Sequence, residues 1–243
     1  MDEPNANTFA DMALALHEEP GVQQTLRGIV EYAQQAAGCD DAGLVLLRGS
    51  GQAATAVATH VRVTKSDRLQ QELREGPCIQ DIWSADSFIV SDIAHDTRWP
   101  EWGPRAAALG LRSLLCIRLS THRKTLGALN LYAHQVGAFD EDDLDVAEIF
   151  GRHAAIALAS AWEEDGLRQA IGSRHLIGLA QGILMERYAL DAESSFALLR
   201  RYSRDTNVKL RVIAARIVET GRLPDEPRTL ENDHVELEND HVK

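Results

Sequence analysis

The chain has few cysteines, no long apolar run and a shortage of positive charge. Its 243 residues hold only Cys39, Cys78 and Cys116. An odd number without close spacing argues against a disulfide framework or a zinc ribbon. No apolar stretch is long enough to span a bilayer and no signal-peptide pattern opens the chain, so a cytoplasmic protein is expected. Glycines never gather into a phosphate loop. There is no Ser/His/Asp pattern and no phosphoacceptor receiver pattern, so no enzyme and no cofactor are expected. Asp92, His95 and Asp96 lie close together but lack a second His or Cys nearby, and no metal is expected there. Lys and Arg number 25 against 37 acids, a net charge of −12. That balance disfavours wrapping nucleic acid over the whole surface. The length suggests one or two domains.

The scarce positive charge is concentrated. Between Ile171 and Leu223 stand nine Lys or Arg against five acids, a local +4, so the remainder carries −16. The spacing of apolar residues predicts three short helices there. Ser173–Tyr188 aligns Leu176, Leu179, Ala180, Ile183 and Leu184. The second helix follows Asp191 as N-cap and buries Ala192, Phe196, Leu199 and Tyr202. The third follows Asn207 as N-cap, turns Leu210, Ile213, Ala214 and Ile217 inward, and stops at Gly221 and Pro224. Three stripes make a small three-helix bundle with a thin core. Its basic outer face suits a polyanion, although helical proteins routinely expose Arg to water alone.

The run Ile177-Gly178-Leu179-Ala180-Gln181-Gly182-Ile183-Leu184-Met185-Glu186-Arg187 resembles the first helix of the ANTAR family. Ser195-Phe196-Ala197-Leu198-Leu199-Arg200, then Asn207-Val208-Lys209-Leu210 and Ala214-Ala215-Arg216-Ile217-Val218, resemble its second and third helices in order and spacing. The resemblance implies an RNA-binding module that recognises paired stem-loops in nascent transcripts and favours an antiterminator over a terminator hairpin. Many members have Lys where this chain has Gln181, which removes one charge from that helix. The expected RNA-binding residues are Gln181, Met185 and Arg187 on the first helix. On the second and third they are Arg200, Arg201, Ser203, Arg204, Asn207, Lys209 and Arg211.

Upstream, the period changes. A short helix is predicted over Thr8–His17 and a longer one over Gly21–Ala37. Strands follow at Ala42–Leu47 and Ala53–His60, then a polar helix or loop at Lys65–Glu75. Further strands are expected at Phe88–Val90, Ser113–Leu119 and Thr125–Tyr132, and Asp140 opens a long helix. This order predicts an α+β fold, an antiparallel sheet with helices on one side. Gly76-Pro77-Cys78, the strand Leu126-Gly127-Ala128-Leu129-Asn130-Leu131 and Phe139-Asp140-Glu141-Asp142-Asp143 together resemble a GAF domain. GAF domains sense small molecules or serve as dimerising scaffolds.

The resemblance places any ligand pocket in the insertion between Arg62 and Leu111. The candidates there are Cys78, Trp83, Asp92, His95, Arg98 and Trp99, for an unidentified small molecule. Asn130 is not followed by Lys, and cyclic-nucleotide binding is not predicted. Some GAF-fold enzymes reduce free methionine sulfoxide with cysteines in this insertion, so a thiol redox enzyme using Cys78 is one alternative.

From Asp140 to about Arg168 nothing but Gly151 and Gly166 interrupts a helical pattern. Ala147, Phe150, Ala154, Ala157, Leu158, Ala161 and Trp162 recur at steps of three and four, as a seam against a second copy or against the domain's own sheet. A homodimer would hold two RNA modules at a fixed spacing, with Gly166 and Gly172 as candidate hinges. The expected organisation is a 1–19 segment, a GAF domain over 20–160, its last helix extending as connector to about 170, the ANTAR domain over 171–224, and an acidic disordered tail over 225–243. The other alternative is a DNA-binding helix-turn-helix regulator, since three short helices with a basic third one fit that motif too.

Overall fold

A computed structural model describes residues 14–16, 19, 21–47, 52–80 and 87–223. The expected helix at Thr8–His17 and the tail lie largely or wholly outside them. The chain divides into two units, Met1–Gly166 and Leu167–Lys243.

The first unit is built on a five-stranded antiparallel sheet. Its strands are β1 (Asp41–Leu47), β2 (Ala53–Ala58), β3 (Ser87–Val90), β4 (Ser113–Ser120) and β5 (Thr125–Ala133), in the order β2-β1-β5-β4-β3. The central pairs run Val45↔Ala128 and Leu115↔Leu131. Helix α1 (Val22–Ala37) packs Leu26, Ile29, Val30 and Ala33 on one face, over Leu44, Leu115, Ile117, Leu129 and Leu131. On the other face lie α2 (Val61–Leu73), α3 (Pro77–Gln80) and α4 (Trp102–Ala108). There Val63, Trp99, Trp102 and Ala106 meet Leu114, Cys116, Ala128 and Tyr132.

Helices therefore cover both faces, not one. The reason is legible in β4 and β5, which are buried along almost their whole length. Strands covered on both faces read as continuous apolar runs rather than as alternation. The polar stretch after β2 is helical, and His60 caps it by accepting a hydrogen bond from the Arg62 amide at 3.2 Å.

Helix α5 runs from Glu141 to Tyr188 without a break. The separate start expected at Ser173 is absent, and the helix continues through Gly151, Gly166 and Gly172. Gly151 is needed for close approach, because a Cβ there would stand 2.5 Å from Ile117 Cγ2 on the sheet. Gly166 and Gly172 face open space.

In the second unit the C-terminal part of α5 meets α6 (Ala192–Asp205) and α7 (Leu210–Thr220). Ala180, Leu184, Leu199, Ile213, Ala214 and Ile217 form its core. Asp191 caps α6, its Oδ1 accepting from the Ser194 amide at 2.7 Å. That bond holds the Asp191 carboxyl below its ordinary range. Gly221 ends α7 at φ 67°, its amide donating to the Ile217 carbonyl at 2.7 Å. Three local expectations fail. Lys209, not Asn207, is the N-cap of α7, and Asn207 sits in the left-handed region at φ 53°. Phe196, at 37%, and Ala192 are exposed rather than buried, and of the four residues expected inward on α6 only Leu199 lies in the core itself.

Candidate nucleic-acid interface

A groove of about 420 Å³ lies between α6 and α7, lined by Ala197, Arg200, Ser203, Arg204 and Leu210. Helical spacing explains the lining, since positions 197, 200, 203 and 204 of α6 fall on adjoining rows. The Ser203 hydroxyl donates to the Val208 carbonyl at 2.7 Å and so holds the turn that sets the groove's width. No carboxylate pairs with Arg200 among the described residues, and Arg204 meets Asp205 only at 3.9 Å across an exposed surface. Both guanidiniums therefore stand open to an anionic or acceptor-rich ligand.

The structure brings three of the expected RNA-binding residues together, Arg200, Ser203 and Arg204. Arg201, Asn207, Lys209 and Arg211 are exposed nearby on the same two helices and their turn. Two others serve the bundle itself. Gln181 donates from Nε2 to the Ala192 carbonyl at 3.0 Å and to Ser195 Oγ at 3.4 Å, tying α5 to the start of α6. Arg187 donates from Nη1 to the Gly221 carbonyl at 3.2 Å, at the end of α7. Met185 is exposed on α5. Sequence reasoning missed Phe196, because an aromatic at helical spacing among Leu199 and Tyr202 reads as core.

The candidate residues of the first unit are not gathered into one site. Cys78 and Trp99 are packed in the interior, while His95 and Arg98 are exposed. Trp83 lies outside the described residues. Asp92 caps a turn, accepting from the Ala94 amide at 3.1 Å, and pairs with His95 at 2.8 Å. The His95 bond lowers the Asp92 pKa. Arg98 stacks on the Trp99 ring, 4.3 Å from its centroid, and pairs with Asp96 at 2.7 Å. These bonds build the insertion's own surface.

Beneath it runs a buried polar chain. Asn130 Nδ2 donates to Cys78 Sγ at 2.9 Å, and the Cys78 amide donates to Gln70 Oε1 at 2.8 Å. Thr55 Oγ1 donates to Asp67 Oδ2 at 2.7 Å. Burial pushes the Cys78 thiol up to about 12, and the Asp67 carboxylate adds to the rise. A reactive thiol needs exposure and a cation nearby. Cys78 is 3% exposed beside an acid, the reverse of what a redox enzyme requires. Burial also raises Asp67 to about 6. No group of three His, Cys, Asp or Glu among the described residues is placed to hold a metal ion.

Of the seam residues, Ala147, Phe150, Ala154, Ala157 and Leu158 are buried in the first unit's own core, and Ala161 and Trp162 are half-buried. Between Glu141 and Gly172, α5 exposes the large apolar residues Ile149, Ile156, Leu167 and Ile171.

The chain thus joins an antiparallel sheet unit to a three-helix unit with a basic groove. The GAF domain model matches residues 19–159, more than half of the chain, and the ANTAR domain model matches residues 165–218. The chain belongs to the GAF family and carries its ANTAR domain in the GAF-ANTAR order. GAF domains are sensors and ANTAR domains are RNA-binding antitermination modules, both regulatory in kind.

Solved structures agree on the fold. The GAF domain of an Acinetobacter phosphoenolpyruvate-protein phosphotransferase aligns at a TM-score of 0.52 and 16% identity, over 67% of this chain and 97% of that one. Its counterpart from Coxiella burnetii aligns at 0.52 and 15%, over 65% and 94%. The photosensory core module of Stigmatella aurantiaca phytochrome aligns at 0.55 and 12%, over 86% of this chain and 46% of that one. At these identities the likeness concerns fold alone. No curated protein matches the chain. No helix among the described residues is long and apolar enough to cross a membrane.

Proposed function

We propose that the chain binds paired stem-loops in nascent RNA as a homodimer in the cytoplasm, under control of its GAF domain, and so regulates transcription termination. It acts by binding, with no chemistry on the RNA. The observation that carries this reading is the groove with Arg200 and Arg204 on the basic segment 171–223 of an otherwise acidic chain. Local positive charge attracts phosphate, and guanidiniums suit unpaired bases.

The dimer reading rests on α5. Ile149 and Ile156 are seven residues apart, and Leu167 and Ile171 are four apart, all exposed. Such spacing on one helix suits a seam against a second copy. Pairing places two RNA modules on one assembly, which makes contact with a second stem-loop intramolecular. The GAF signal in this reading is a small molecule acting at the insertion that carries Cys78, Asp92, His95, Arg98 and Trp99.

The test compares the full chain's affinity for a tandem stem-loop RNA, a single stem-loop and a duplex DNA at one fixed salt concentration. The expected result is preference for the tandem RNA by roughly a hundredfold over the single one, weakened by Arg204→Ala. Equal binding to all three overturns the reading. Preference for the duplex replaces it with a DNA-binding regulator.

A further inference from the structure

We infer that the groove between α6 and α7 is a base-reading pocket, which takes one unpaired nucleobase from an RNA loop and selects for acceptor atoms on its edge. This rests on the RNA-binding reading and deepens it.

Three observations point to a base rather than to a phosphate. The first is shape. The groove is half open to solvent and offers about 420 Å³, more than a phosphate needs and room for a planar heterocycle. The second is the chemistry of the walls. Ala197 and Leu210 are apolar and suit the face of a ring. Arg200 and Arg204 supply only N–H donors, while Ser203, its proton committed to the Val208 carbonyl, is left to accept. The edge facing the guanidiniums must therefore accept hydrogen bonds. Guanine presents O6 and N7 side by side and takes a guanidinium on both; adenine places an amino donor beside N7. The pocket favours guanine on that ground.

The third observation is Phe196. It is 37% exposed, one helical turn before Arg200 on α6. A partly exposed aromatic one turn from the groove's Arg200 offers a platform of the kind on which single-stranded bases stack. Phe196 supports a neighbouring base of the loop while the groove holds the one that is read. The alternative role for Arg200 and Arg204 is a pair of phosphate contacts that ignore sequence.

The experiment starts from the full chain and a tandem stem-loop RNA selected from a pool with randomised loops. Each loop position is replaced in turn by an abasic site, and binding is followed by fluorescence anisotropy at fixed salt. One position is expected to lose roughly tenfold or more in affinity, the scale of a stacked or doubly hydrogen-bonded base. Restoring that position with guanine recovers affinity, and adenine does not. Ala197→Trp fills the groove from an exposed position, and Arg200→Ala removes one donor without filling it. Both variants are expected to bind the intact RNA as weakly as wild type binds the abasic one, with no further loss when the two changes are combined.

A flat abasic scan, with Ala197→Trp binding as wild type, overturns the pocket and leaves RNA binding standing. A pool that yields no stem-loop binder overturns the RNA reading itself. If Ala197→Trp does not fold, Arg200→Ala decides alone: uniform weakening at every loop position, with a shallower salt slope, means a phosphate contact only.

Discussion

Asp67 is held in the interior by a threonine hydroxyl rather than by a cation. Burial raises its pKa from 3.8 to about 6, so the fold favours the protonated form. The unfolded chain releases that proton near pH 4 and the folded chain near pH 6. The stability this group contributes is therefore fully present below about pH 4 and is lost as pH rises to 6, about 3 kcal/mol in all. Asp67→Asn is expected to raise the melting temperature above pH 6 and to flatten its pH dependence between 4 and 6. Thermal melts of both forms at pH 4, 5, 6 and 8 check this, and an unchanged pH profile would show that Asp67 ionises freely in the fold. Asp92, Asp96 and Asp191 work in the opposite direction, since their bonds lower their pKa values. The rise in stability toward acid pH from Asp67 is accordingly opposed once those carboxylates protonate.

Helices and strands were mostly legible in the sequence, and the exceptions share a cause. Apolar spacing located every strand of the sheet, but it could not say that α2 to α4 close its second face. That depends on long-range packing of Trp99 and Trp102 against β4 and β5. Spacing also located the three helices of the RNA module, yet it split α5 at Ser173, because two different apolar stripes meet there on one unbroken helix. In the groove, Arg200, Ser203 and Arg204 were legible as basic and polar positions of an amphipathic helix. The internal duties of Gln181 and Arg187 were not, since both depend on carbonyls far along the chain. Phe196 was misread because period alone does not tell which of two apolar rows wins the core. At this scale Gly166 and Gly172 are the sites to change. Each faces open space in mid-helix, so Gly→Ala is expected to stabilise α5 by about 1 kcal/mol per site. If either serves as a hinge, the same substitution blunts the RNA response to the GAF signal while leaving basal affinity intact, and binding assays with and without the effector separate the two effects.

For the whole molecule the deciding question is what covers α5. Ala147, Phe150, Ala154 and Leu158 are already spent on the first unit's core, so they are not available to a second copy. The dimer reading therefore falls to Ile149, Ile156, Leu167 and Ile171. Ile149→Asp with Ile156→Asp is expected to leave the sheet core intact and to convert a dimer into a monomer in sedimentation velocity. The preference for tandem over single stem-loops should vanish with it. A variant that remains dimeric would place the seam elsewhere.

From Glu163 to Gly172 every side chain of α5 is exposed, although the backbone is helical throughout. A helix segment of that length without a packed face is marginal in water on its own. In the monomer its amides should thus exchange with deuterium sooner than those at Ala154 or Leu184, on either side along the same helix. Arg168 lies inside that window and would be an early tryptic cut. Slow exchange there in the full chain, lost on dilution, would time the arrival and departure of whatever shields it.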